Sequence, residues 1–194
     1  MTEKLAVLGG PAAITMEQDP FTQWPIYGEE EAEVAADLIR NHKLSSSHEG
    51  GPIVELEQLV AQRWGVKHAL AHSSGTAALR AALFGAGVLP GDEVIVQSAV
   101  HPYACLPIIG CGAIPVFADL DPQLTTLDPA DVERRITPKT KAVIVVHWNG
   151  MPVDMDAMLD LGRRHSIKVI EDNCVSQGTE YRDQMCGSIG DAGA

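Results

Sequence analysis

The sequence predicts an α/β fold, a mostly parallel sheet flanked by helices on both faces. Three observations carry this. Short runs rich in β-branched residues alternate with helical patterns along the chain. Runs such as 93–96 and 141–146 are apolar on consecutive positions, as strands covered on both faces must be. The run Ile167-Lys168-Val169-Ile170-Glu171-Asp172 ends in two carboxylates, where a parallel sheet places its ligands.

In chain order, residues 1–28 read as an irregular arm lying over a partner or a neighbouring domain. Gly9-Gly10-Pro11 and Trp24-Pro25 are its breaker signals. Residues 29–41 read as a helix with acidic residues in its first turn, which suits the helix dipole. A polar loop follows over 43–52, with Ser45-Ser46-Ser47 and Gly50-Gly51. A second helix covers 53–64, with Ile53, Leu56, Leu59 and Val60 on one face and Gly65 ending it. Residues 68–72 read as a short strand. The Ala-rich run 77–84 is apolar on nearly every side and reads as a buried helix. Strands are expected at 93–96, 114–118, 141–146 and 167–172. Helices are expected at 103–111, 129–136 and 155–165, the last capped by Asp154 with Met158 and Leu161 facing inward. Residues 179–181 and the segment around Met185 suit a small hairpin.

The 194 residues are enough for one domain with a real core, and 45% hydrophobic with 21% charged residues is ordinary globular usage. A formal net charge of −12 argues against nucleic acid or an anionic membrane surface as a partner. Met1-Thr2-Glu3-Lys4-Leu5 does not resemble a signal peptide, and no apolar run reaches bilayer length. Cys105, Cys111, Cys174 and Cys186 lack CxxC spacing. They read as free thiols of a cytoplasmic protein, with neither a zinc site nor a disulfide framework. Gly187-Ser188-Ile189-Gly190-Asp191-Ala192-Gly193 has the wrong spacing for a dinucleotide fingerprint, and there is no Walker loop.

Ser73-Ser74-Gly75-Thr76 precedes the helix at 77–84, so free N–H groups there can bind a phosphate. The alternative is an ordinary Ser/Thr cap. His101 lies in the loop after the strand at 93–96, where it can stack on a ring or simply face solvent. Asp172 at a strand end meets a cation or a protonated ring nitrogen, or else caps the next turn. A ligand with a phosphate, a flat ring and a basic ring nitrogen uses all three features. Pyridoxal phosphate is such a ligand.

The runs Ser73-Ser74-Gly75-Thr76-Ala77-Ala78-Leu79, Gly91-Asp92-Glu93-Val94-Ile95-Val96, Gly112-Ala113-Ile114-Pro115-Val116-Phe117, Pro152-Val153-Asp154-Met155-Asp156-Ala157, Glu171-Asp172 and Gly187-Ser188-Ile189-Gly190-Asp191-Ala192-Gly193-Ala194 resemble the DegT/DnrJ/StrS family. These are pyridoxal-phosphate aminotransferases of sugars and cyclitols. Leu8-Gly9-Gly10-Pro11 and Trp24-Pro25 are similar to the branch acting on keto-inositols.

The resemblance implies a fold type I large domain over 29–194, without the family's small C-terminal domain. It implies transfer of an amino group from glutamate or glutamine to a ketosugar or keto-cyclitol, in antibiotic or sugar-nucleotide biosynthesis, by a homodimer. It assigns Gly75 and Thr76, with Ser74, to the phosphate turn, His101 to ring stacking where the family usually has a bulkier aromatic, and Asp172 to the pyridine nitrogen. Two departures stand out. Val175 occupies the position of a polar partner for the cofactor's phenolic oxygen, with Asn173, Ser176 and Gln177 as nearby substitutes. The family's Schiff-base lysine falls beyond Ala194, so none of these residues is assigned as catalytic. The reading favours the first part of a longer or split polypeptide over a complete lysine-less binding module. The family's dehydratase branch is the alternative activity.

Overall fold

The computed structural model describes residues 4–12, 15, 25–44 and 51–194. Trp24, the loop serines 45–47 and Gly50 lie outside the described residues. The chain divides into two compact units, Met1–Gly51 and Pro52–Ala194.

In the first unit, a 3-10 turn at Ala6–Leu8 closes on Gly9, whose φ of 87° only glycine adopts cheaply. Helix α1 (Glu29–Arg40) carries Glu29, Glu30 and Glu31 in its first turn and Arg40 in its last. The Glu31 carboxylate folds back to accept from Gly28 N–H at 2.7 Å, satisfying one orphan donor. None of its residues is buried.

The second unit is built on a sheet of five parallel strands: β1 (Glu93–Gln97), β2 (Ile114–Ala118), β3 (Thr140–Val146), β4 (Lys168–Asp172) and β7 (Ala192–Gly193), in the order β2-β1-β3-β4-β7. The chain steps outward from β1 to β2 and returns on the other side of β1 as β3. Such a reversal opens a crevice at the carboxyl ends of the strands. Strand period two splits the side chains into two cores. Val94, Val96, Ile144, Val146 and Ile170 pack with Leu79, Leu83 and Ile108, which come from α3 (Gly75–Gly85) and α4 (Leu106–Gly110). Ile95, Val143, Val145 and Val169 pack on the other face with Val132, Met155, Met158 and Leu161, from α5 (Pro129–Arg135) and α6 (Met155–His165). Helices on both faces of a parallel sheet bear out the expected fold class.

Asp154 caps α6 by accepting from Ala157 N–H at 3.1 Å. Gly65 ends α2 (Pro52–Trp64) with φ 66°. β5 (Glu180–Tyr181) and β6 (Gln184–Met185) form the expected hairpin. Its two-residue turn, Arg182-Asp183, has positive φ at both positions, the geometry that matches strand twist.

Three expectations are corrected. Residues 68–72 form no strand. Leu70 is 74% exposed, and Ala71 N–H goes to Glu57 Oε1 at 2.8 Å instead of to a ladder. The predicted helix at 103–111 is a 3-10 turn, Pro102–Ala104, followed by the short α4. Proline fits only the first turn of a helix, so Pro102 and Pro107 each open one. The Ala-rich helix α3 buries Leu79 and Leu83 only, and Phe84 is 77% exposed. The apolar face of α2 is mostly open, with Leu56 and Leu59 exposed. Among the described residues no helix is long and apolar enough to cross a membrane.

Candidate active site

Asp172 is the last residue of β4. Period two puts it on the face of Ile170, which packs in the α3 core. The residue is 7% exposed. Its Oδ1 accepts from Cys174 N–H at 3.1 Å, the Cys174 thiol bonds to the same carboxylate, and no N–H among the described residues donates to Oδ2. The turn-capping alternative thus accounts for Oδ1 and leaves no cation on the carboxylate among the described residues.

The tip of α3 lies against the same turn. A Cβ built on Gly75 would stand 2.9 Å from Cys174 Sγ. Only glycine lets the helix start approach that closely. Ser74 is the N-cap, and its Oγ accepts from Ala77 N–H at 3.2 Å. The cap reading therefore holds for Ser74. The N–H groups of Gly75 and Thr76 and the Thr76 hydroxyl meet no acceptor among the described residues. They stand at the positive end of an 11-residue helix, an arrangement that favours negative charge. The expected strand before it is a loop instead, but the helix tip does not depend on that strand.

Beside them, burial and the hydrogen bond and charge of Asp172 push the Cys174 thiol up to about 12. Cys174 is therefore a neutral thiol at neutral pH, and no thiolate repels an anion at the tip.

His101 sits in the loop after β1, as the N-cap of the Pro102–Ala104 turn. Its Nδ1 accepts from Tyr103 N–H at 3.5 Å. The two rings lie 4.3 Å apart, tilted by 34°. Sequence reasoning missed Tyr103, which is 61% exposed and enlarges the aromatic surface that His101 offers alone. The His101–Tyr103 spacing was the available signal. The turn carrying them packs on α3.

Of the nearby polar groups, the Ser176 hydroxyl and the Asn173 amide N–H are engaged. Ser176 Oγ donates to His147 O and accepts from Gly150 N–H. Asn173 Nδ2 donates to Cys186 O at 2.9 Å, while its buried Oδ1 has no partner. Gln177 is exposed, and Val175 is 55% exposed.

Glu171, the other carboxylate of the pair, faces the opposite side. Its side chain is fully buried and accepts from His147 Nε2 at 3.0 Å and from the N–H groups of Gly187, Ile189 and Gly190 at 2.8, 2.7 and 2.6 Å. Burial pushes this carboxyl up. The His147 bond and the N–H groups of Gly190, Gly187 and Ile189 outweigh it, so the net shift is downward. Magnitudes agree: burying a carboxylate costs several kcal/mol, and hydrogen bonds to a charged group return about 1.5–3 kcal/mol each. His147 Nδ1 accepts from Val153 N–H at 3.2 Å, so the ring proton is on Nε2. Cys186 Sγ completes a buried His–Glu–Cys group of metal-ligand type. The His147 nitrogens and both Glu171 oxygens already have protein partners.

Glycine spacing completes the picture. Gly187 has φ 91°, and a Cβ on Gly190 would stand 2.6 Å from Val169 O. The run that failed as a dinucleotide fingerprint is thus a tight return that lays β7 beside β4.

The profile of the DegT/DnrJ/EryC1/StrS aminotransferase family matches residues 25–194. GDP-perosamine synthase of Caulobacter vibrioides is 47% identical over 139 residues, covering 72% of this chain and 38% of the relative. L-glutamine:2-deoxy-scyllo-inosose aminotransferase of Streptomyces lividus is 36% identical, over 100% of this chain and 46% of its own. The crystal structure of an aminotransferase from Psychrobacter cryohalolentis superposes with a TM-score of 0.84 at 32% identity, covering 88% of this chain and 43% of that one. The chain spans less than half the length of the curated relatives it matches. With matching motifs, sheet and helix tip, the chain belongs to the DegT/DnrJ/EryC1/StrS aminotransferase family.

Proposed function

We propose that this chain is the cofactor-binding large domain of a pyridoxal-phosphate aminotransferase that aminates a ketosugar or keto-cyclitol. Family membership indicates the cofactor. The residues present fit it. The carrying observation is the Asp172 carboxylate, nearly buried on the α3 face, with no cation or N–H on its Oδ2 among the described residues and joined through Cys174 to the open helix tip at Gly75.

Bound pyridoxal phosphate supplies an electron sink for the carbanion left when an amino-acid Cα loses its proton. The chain's own residues hold and tune it. Gly75 and Thr76 N–H groups, with the Thr76 and Ser74 hydroxyls, take the phosphate. Asp172 keeps a proton on the pyridine nitrogen, because a carboxylate in a poorly solvated site favours a cationic neighbour. His101, backed by Tyr103, covers a ring face. Val175 offers the phenolic oxygen no polar group, and the Ser176 hydroxyl and Asn173 amide N–H beside it are engaged elsewhere.

The names of the relatives support glutamine as donor and a sugar-nucleotide or cyclitol acceptor. We place the enzyme in the cytoplasm as a homodimer. Phe84, Tyr103 and Ile109, on the mutually packed α3, Pro102–Ala104 turn and α4, leave the exposed apolar surface that a subunit interface uses.

The test is amino transfer. The protein is incubated with pyridoxal phosphate and glutamine, and the pyridoxamine form is read by its absorbance and by release of the 2-oxo acid. Borohydride reduction in parallel reports whether a lysine holds the cofactor. Cofactor binding without amino transfer would refute the transferase activity and leave a binding module.

A further inference from the structure

We propose that Glu171 is a positioning residue: its buried carboxylate, with His147, fixes the direction in which Asp172 presents its own carboxylate. This rests on the proposed cofactor site.

The peptide units on either side of Asp172 are both tied to one segment. Ala194 N–H donates to Glu171 O at 2.9 Å, and Asn173 N–H donates to Ala194 O at 2.8 Å. That segment, the Gly187–Ala194 return, is held in turn by the Glu171 side chain through the N–H groups of Gly187, Ile189 and Gly190. Asp172 O accepts from His147 N–H at 3.1 Å, and the His147 ring returns to Glu171 Oε2. The bonds thus form a closed ring: Asp172 carbonyl, His147 backbone, His147 ring, Glu171 carboxylate and back along the chain to Asp172. Few torsions remain for Asp172 except those of its own side chain.

Asp191 ties the other end of the return, accepting from Val169 N–H at 2.9 Å and pairing with Lys168 Nζ at 2.6 Å. The Glu171 side chain, on β4, bonds at once to His147, just past β3, and to the return. One buried carboxylate thus bonds both to His147, which holds the Asp172 carbonyl, and to the return, which holds the peptide units on either side of Asp172. Glutamine at this position keeps the size of the side chain. Its NH2 would then face donors, either the N–H groups of the return or Gly187 N–H and the His147 ring, and the ring of bonds opens.

The experiment compares wild type with Glu171→Gln, and with Gly187→Ala, which strains the return from outside the buried pair. Nitrogen-15-labelled pyridoxal phosphate reports pyridine protonation by NMR, and hydrogen exchange reports the return. Both variants are expected to shift the pyridine signal toward the unprotonated form and to weaken cofactor binding about tenfold. Amides of Gly187, Ile189, Gly190 and Ala194 are expected to exchange about tenfold faster relative to Val143 and Ile144. A folded variant with an unchanged pyridine signal, or amides that all speed up together, would overturn the proposal. Should the wild type leave the labelled cofactor free, the cofactor site itself fails. Exchange then decides only whether Glu171 holds the return.

Discussion

Gly75 shows how one hydrogen atom in place of a methyl group sets a site. The 2.9 Å between its missing Cβ and Cys174 Sγ leaves no room for alanine. Gly75→Ala should cost about 1–3 kcal/mol by overpacking and should weaken phosphate binding at the tip. Adding Cys174→Ala to it should recover much of both losses, a coupling that thermal melts and a cofactor titration would read. Simple additivity would show that the two residues do not share the contact. The sequence singled out Asp172 because a carboxylate ending a buried strand has few uses, and the structure shows it nearly buried. The role of Glu171 was not legible: adjacent residues of a strand face opposite ways, so two neighbouring acids had to split their roles, but only the coordinates show what the second one meets. The same holds for Ser176 and Asn173, named as nearby substitutes at the Val175 position, whose hydroxyl and amide N–H are engaged in the turn.

Elements whose signals were local came through well. Caps, breakers and β-branched runs gave all four longer strands and the hairpin, because each depends on a few consecutive residues. The failures are elements that depend on a partner. Whether residues 68–72 pair is decided at the sheet edge, and β7 is a two-residue Ala-Gly strand with no propensity of its own. The link between β2 and α5 gives a pH prediction. Asp131 accepts from Asp119 N–H at 2.6 Å and pairs with Arg135 and Arg134 at 2.9 and 2.8 Å. The Asp119 N–H, helped by Arg135 and Arg134 and opposed by burial, lowers its carboxyl from 3.8 to about 2. A depressed folded-state value means stability that is present above 3.8 and lost as pH falls toward about 2. Asp131→Asn should remove this part of the acid loss and should cost about 1–3 kcal/mol at neutral pH. Denaturant melts across that range check both, and an unchanged acid limb in the variant would contradict the assignment.

At the scale of the molecule, five parallel strands bring the α3 tip, the loop after β1 and the end of β4 to one rim. These regions are far apart in sequence, and their convergence could be expected only from the alternation of elements and from the family motifs. The central claim is that this rim holds one phosphorylated pyridine. A crystal structure of the protein soaked with pyridoxal phosphate tests it most directly. The account predicts the phosphate on the N–H groups of Gly75 and Thr76, the ring beside His101, and the pyridine nitrogen within hydrogen-bonding distance of Asp172 Oδ2. A cofactor seated elsewhere, or one whose ring nitrogen lies away from Asp172, would contradict it.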